Sequence, residues 1–173
     1  MTYLVPFDGS ELSEAALFKA RLHTIALSDA PPPIQDEILR EKPLNIVAVT
    51  VIPESARYAR EKGWINADEE FRTRLVVERL HQQVTDIDPS AEFQFVPVDA
   101  AARSGTISSR LRQKAEELDA DTIFIGSENA GRIVTPITSV AAGVTAKQDY
   151  DVYIIRNPLP EPTKNRVKSG FFS

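Results

Sequence analysis

The chain has 173 residues, 42% of them apolar, which is enough for one domain whose core folds without disulfide or metal staples. It contains no cysteine, which excludes a disulfide framework, a thiolate nucleophile and a Cys-ligated metal, and no apolar run approaches the roughly 20 residues of a membrane span. The net charge of −5 argues against nucleic-acid and anionic-membrane partners, because phosphate contacts need clustered Lys and Arg.

The chain opens on a strand candidate rather than on a leader, so a cytoplasmic location is the expectation. Residues Thr2 to Pro6 (TYLVP) read as a short buried strand. Asp8-Gly9-Ser10 follows at once, and it is either a turn with a cap or the first wall of a ligand site. From Glu11 to Leu27 apolar residues recur at Leu12, Ala15, Ala16, Leu22 and Ala26, which is helical spacing. Ser10 suits the N-cap, and Glu11 and Glu14 suit the positive end of the helix dipole. Residues 28–43 break the pattern with Pro31-Pro32-Pro33, which cannot continue a helix. This reads as a solvated insertion with one helical turn at Gln35 to Glu41.

Leu44 to Ile52 is the second strand. Ile46-Val47-Ala48-Val49 is apolar at successive positions, the pattern of a strand buried on both faces of a parallel sheet. Pro53 to Ile65 is a loop or short helix holding the only tryptophan, Trp64. Asn66-Ala67-Asp68-Glu69 resembles a capping box, ahead of a helix with Val76, Val77, Leu80, Val84 and Ile87 on one face. Glu92 to Val98 is the third strand, and Pro97 assigns it to an edge or an end. Gly105 precedes a helix with Ile107, Leu111, Ala115 and Leu118. Asp121 to Ile125 is the fourth strand, ended by Gly126. A polar loop from Ser127 to Ile137 leads into a last helix, Thr138 to Lys147, and a fifth strand, Asp151 to Arg156. The tail, 159–173, carries prolines, charges, Phe171 and Phe172, and is expected to be extended or mobile. His23 and His81 lie in helical patterns and are expected at the helix surface, with nothing pairing them as metal ligands.

Strictly alternating strands and helices imply a parallel sheet with right-handed crossovers, an α/β fold with helices on both faces. Such sheets bind ligands beyond the carboxyl ends of their strands, at the switch point of strand order. Gly9, Gly105, Gly126 and Gly131 all follow strands. The loop GSENAGRIVTPITSV, Gly126 to Val140, adds the hydroxyls of Ser127, Thr135, Thr138 and Ser139 at the start of a helix. That is either an ordinary cap or an anion site built on backbone N–H groups.

At these residues the chain resembles the universal stress protein family, over roughly residues 1–158. VPFDGSELSEAAL is similar to the family's first strand, its Asp and the start of its first helix. AEELDADTIFIGS looks like the third helix running into strand four, TSV at Thr138 to Val140 like the start of helix four, and DVYIIR like the last strand. The resemblance implies a Rossmann-like single domain with strand order 3-2-1-4-5, and an adenine nucleotide, ATP or AMP, with Mg if the ligand is ATP. Asp8 would face the ribose or adenine, Pro6 and Phe7 would lend backbone, and Val51 would touch the adenine. Gly126, Ser127, Asn129, Gly131, Thr138, Ser139 and Val140 would make up the phosphate loop and the helix start behind it.

The family motif is Gly, two residues, Gly, nine residues, Gly, then Ser or Thr. Here Asn129 and Thr138 replace the second and third glycines, with eight residues between them. Asn tolerates positive φ and Thr does not, so each misfit costs about 1–2 kcal/mol, or roughly tenfold in affinity. The expectation is an intact adenosine half and a weakened triphosphate half. Glu128 is the only acid in the loop and no arginines cluster there, so a regulator is expected, with ATP hydrolysis at most slow. The alternative is a stress protein that does not bind ATP and serves as a dimeric interaction module. Its homodimer would pair last strands through Val152, Tyr153, Ile154, Ile155 and Arg156. Receiver, ATP pyrophosphatase and dehydrogenase signatures are absent after the first strand.

Overall fold

Apolar runs become strands and 3.6-periodic stretches become helices in the computed structural model of the chain, which describes residues 1–32, 43–102, 104–129 and 150–168. The elements are β1 (Thr2–Pro6), α1 (Glu11–Ser28), β2 (Asn45–Pro53), α2 (Ala56–Glu61), α3 (Thr73–Ile87), β3 (Glu92–Val98), α4 (Ser104–Glu117), β4 (Thr122–Gly126), β5 (Asp151–Ile155) and α5 (Glu161–Lys168). The five strands form one sheet in the order β3-β2-β1-β4-β5, and every pairing is parallel, with Pro6 opposite Val49 and Gly126 opposite Ile155. This is the 3-2-1-4-5 order that the family resemblance implies. Pro97 lies in the edge strand β3, where a missing donor costs least.

Alternation along the strands feeds two cores. On one face Tyr3, Val5 and Phe7 pack with Ala16 and Leu17 of α1 and Leu80 of α3. On the other, Leu4, Val47 and Val49 pack with Ile107, Leu111 and Ala115 of α4. Helices therefore cover both faces, which explains why β1, β2 and β4 are apolar without alternation. No described helix is long and apolar enough to cross a membrane.

Four local expectations are corrected. Asn66 to Glu69 does not cap α3, which starts at Thr73 with Arg72 as a cap lacking a side-chain bond. Glu69 does reach back to the Asn66 N–H at 2.7 Å, but the motif closes a turn instead, with the Glu69 N–H donating to the Asn66 carbonyl at 3.2 Å and the same carboxylate also held by Arg79. Gly105 lies inside the first turn of α4 rather than before it. His23 is half-buried rather than openly exposed: its Nδ1 lies 2.8 Å from the Tyr3 hydroxyl, and its ring packs against Phe124 and Tyr153. His81 is exposed as expected, stacked on Phe93. Residues 161–168 form a helix in place of an extended segment. Pro160 offers its carbonyl to Thr163 and Lys164, and Pro162 sits in the first turn, where its ring is tolerated. The helical turn at 35–41, the last helix at 138–147 and Phe171 and Phe172 lie outside the described residues.

Candidate functional site

The chain leaves β1 at Pro6 still paired to the sheet, with the Phe7 N–H donating to the Val49 carbonyl at 2.9 Å and the Thr50 hydroxyl donating to the Phe7 carbonyl at 2.6 Å. Gly9 then takes φ +74°, a conformation open to glycine at no steric cost. A Cβ there would meet Gln83 Oε1 at 2.8 Å. Ser10 caps α1, its Oγ accepting from the Ser13 N–H at 3.3 Å. This turn fixes the Asp8 carboxylate beyond the carboxyl end of β1.

Three donors converge on that carboxylate. The Ser10 N–H donates to Oδ1 at 3.1 Å, the Lys62 ammonium donates to Oδ2 at 2.7 Å, and the Asn129 amide donates to Oδ2 at 3.3 Å. The Asp8 backbone carbonyl accepts from the Trp64 indole N–H at 2.8 Å. The Asp8 and Lys62 side chains are only 15% and 26% exposed. Burial pushes the Asp8 pKa up, but the hydrogen bonds from Lys62 and Ser10 and the charge of Lys62 outweigh it and hold the group at about 2.

Lys62 arrives from the connection between β2 and α3. Ser55 caps α2, its Oγ accepting from the Tyr58 N–H at 3.2 Å. Lys62 is the C-cap of α2, and Gly63 at φ +70° turns the chain into Trp64. Arg79 of α3 braces the far side, donating to the Trp64 carbonyl at 2.8 Å and to both Glu69 oxygens at 2.6 and 2.9 Å. That clamp holds the Glu69 carboxyl at about 2, mainly through the Arg79 bond.

Between these parts lies a narrow cleft of about 30 Å³, lined among others by Pro6, Phe7, Asp8, Val51, Tyr58 and Asn129. That is far below the roughly 300–1,000 Å³ of an ordinary ligand pocket. Two roomier clefts, of about 500 and 480 Å³, are shallower surface grooves with mixed charges at Glu69 to Glu78 and at Glu54 to Arg110. The narrow cleft has the more informative chemistry, because a buried, ionised carboxylate faces it beside aromatic walls.

A sequence profile of the Universal stress protein family matches residues 1–156. The chain belongs to the universal stress protein family. No curated protein matches the sequence significantly. Among solved structures, it is similar to a universal stress protein in complex with cAMP, at 18% identity, over 90% of this chain and 97% of that one, with a TM-score of 0.44. It is also similar to a protein from the universal stress protein family from Burkholderia pseudomallei, at 17% identity, over 90% and 96%, with a TM-score of 0.46.

Of the residues that the family resemblance assigns to the nucleotide, Pro6, Phe7, Asp8, Val51 and Asn129 lie around one cleft. Gly126 is buried at the end of β4, where its absent Cβ makes room for Leu12 of α1. Ser127 is exposed just beyond it. Gly131, Thr138, Ser139 and Val140 lie outside the described residues. Tyr58 and Trp64 also line the cleft and Lys62 reaches the Asp8 carboxylate, and all three escaped the sequence reading. One signal pointed to them: the only tryptophan follows strand two, on the ligand side of a parallel sheet. The residues assigned to a dimer contact, Val152 to Ile155, form the edge strand β5, and Arg156 follows it exposed.

Proposed function

We propose that this universal stress protein is a cytoplasmic stress-response regulator that binds an adenine nucleotide beyond the carboxyl ends of β1, β2 and β4. The observation that carries the reading is the convergence of an ionised, partly buried Asp8 with Asn129 on one cleft walled by Tyr58 and Trp64. A ribose hydroxyl is a donor matched to such a carboxylate, and aromatic and aliphatic walls suit a purine. Val51 and the backbone of Pro6 and Phe7 complete the base end. Ser127, Gly131, Thr138, Ser139 and Val140 are assigned to the phosphate end by the family pattern. Among the described residues no three acidic or imidazole groups gather to hold a metal, so Mg would arrive with the triphosphate of ATP. Glu128 is exposed and unsuited to a shielded general base, so turnover of the nucleotide is expected to be slow.

Calorimetric titration with AMP and ATP, each with and without Mg, tests this. Both are expected to bind, ATP with little advantage over AMP because Asn129 and Thr138 replace motif glycines. Asp8→Ala is expected to abolish binding. Absence of binding by either nucleotide at millimolar concentration would overturn the proposal.

A specific observation favours a homodimer through β5. Among the described residues this strand pairs on one side only, and it exposes Tyr153 by 47% and Ile154 by 38%. An apolar unpaired edge invites a second strand. Sedimentation is expected to show a dimer that Ile154→Lys converts to monomer; a monomeric wild type would contradict this.

A further inference from the structure

We infer that Lys62 is a specificity residue of the proposed nucleotide site: it competes with the ligand for Asp8, and it favours ligands that offer it a phosphate in exchange. The inference rests on the nucleotide reading above. Lys62 is 54 residues from Asp8, yet its ammonium sits 2.7 Å from Oδ2, where a ribose hydroxyl would otherwise donate. Oδ1 is already engaged by the Ser10 N–H. Oδ2 also accepts from the Asn129 amide at 3.3 Å, so a hydroxyl seated on that oxygen has to displace Lys62 or crowd it.

Space points the same way. The cleft holds about 30 Å³, and a pocket enclosing a nucleoside needs an order of magnitude more, roughly 300 Å³. Among the described residues, room for a ligand comes from a side chain that yields. Trp64 is pinned through its indole N–H to the Asp8 carbonyl and through its own carbonyl to Arg79. On the other side, Glu54 is pinned by its N–H to the Val98 carbonyl at 2.9 Å. Between these anchors lies α2, only six residues long, carrying Tyr58 and ending at Lys62. At Gly63, the joint between α2 and Trp64, a Cβ would meet nothing within 4 Å. Ala59 of α2 is fully buried and its carbonyl accepts from the Trp64 N–H at 2.8 Å, so the helix stays seated and the part that can yield is the Lys62 side chain at its C-cap.

Withdrawing Lys62 costs its pair with Asp8, and the apparent affinity of any ligand falls with the fraction of molecules in which Lys62 has withdrawn. A nucleoside returns only a neutral hydroxyl to Asp8 and leaves the ammonium without its carboxylate. A nucleotide brings an anion, which the four-carbon lysine stem can follow. Lys62 then discriminates phosphorylated adenosine from adenosine.

The test compares adenosine and AMP on wild type, Lys62→Met and Lys62→Arg, together with amide hydrogen exchange of residues 56–64 in the unliganded proteins. Wild type is expected to bind AMP about tenfold or more tightly than adenosine. Lys62→Met is expected to tighten adenosine about tenfold, to erase most of the preference for AMP, and to speed exchange of 56–64. Lys62→Arg, which keeps the charge, is expected to retain the preference. Unchanged exchange in Lys62→Met would overturn the tie of Lys62 to Asp8, and an unchanged or larger AMP preference would overturn the discrimination. If no variant binds either ligand, the nucleotide reading itself falls and the specificity role with it, while faster exchange would still distinguish that outcome from a failure of the Lys62–Asp8 tie.

Discussion

At the residue scale, Asp8 is held ionised by the fold, and this has a consequence for stability. Its pKa falls from 3.8 to about 2 in the folded protein. A carboxylate depressed on folding stabilises the native state fully above its unfolded pKa, and loses that contribution as pH falls through the folded value. The shift corresponds to about 2 kcal/mol. Asp8→Asn is therefore expected to unfold in urea with about 2 kcal/mol less stability than wild type at pH 7, and the gap is expected to narrow between pH 4 and pH 2. A gap that does not change with pH would show that the loss comes from shape and not from charge. Gly126 makes a different point: a Cβ there would come within 2.8 Å of Leu12 Cβ and 3.3 Å of the Leu12 backbone carbon. Gly126→Ala is expected to destabilise by about 1–3 kcal/mol, as overpacking does, measured by the same urea midpoints. The sequence marked both residues, because an acid and a glycine at strand ends are conspicuous. It could not mark Lys62, since a lysine at a helix C-cap is ordinary until a distant carboxylate is brought to it.

At the scale of elements, the connection from β2 to α3 decides how the cleft is closed. Arg79 ties it down by gripping Glu69 and the Trp64 carbonyl. Arg79→Ala is expected to speed amide exchange from Trp64 to Glu69, and to shift the global unfolding midpoint less than Gly126→Ala does. Protection unchanged in this segment would show that the brace is redundant. β1, β2 and β4 were legible to within a residue because an unbroken apolar run bounded by turn or polar residues marks a strand buried on both faces. The start of α3 was not legible. Asn66 to Glu69 has the letters of a cap and makes the Glu69 bond of one, but it closes a turn ahead of the helix, which starts at Thr73. The actual start, behind Arg72 with no side-chain cap bond, carries no local signature. The helix at Glu161–Lys168 was obscured by its prolines, although one in a first turn is compatible with a helix.

At the scale of the molecule, alternation of strand and helix specified the doubly covered sheet, and the family pattern supplied the order 3-2-1-4-5 that the strands adopt. That order puts β1 beside β4, so Asp8 and Asn129, 121 residues apart, meet at 3.3 Å. Half of the candidate site was therefore readable in advance. The half contributed by Tyr58, Lys62 and Trp64 depends on how a connection folds back over the strand ends, which periodicity does not encode. The only tryptophan of the chain stands at this junction, its indole N–H bonded to the Asp8 carbonyl. Its single indole cross-peak in a ¹H–¹⁵N spectrum is thus a direct reporter of the cleft. On titration with AMP, the peak is expected to shift saturably in wild type and to stay in place in Asp8→Ala. A peak that does not respond to millimolar AMP, or that responds equally in Asp8→Ala, would contradict nucleotide binding at this site.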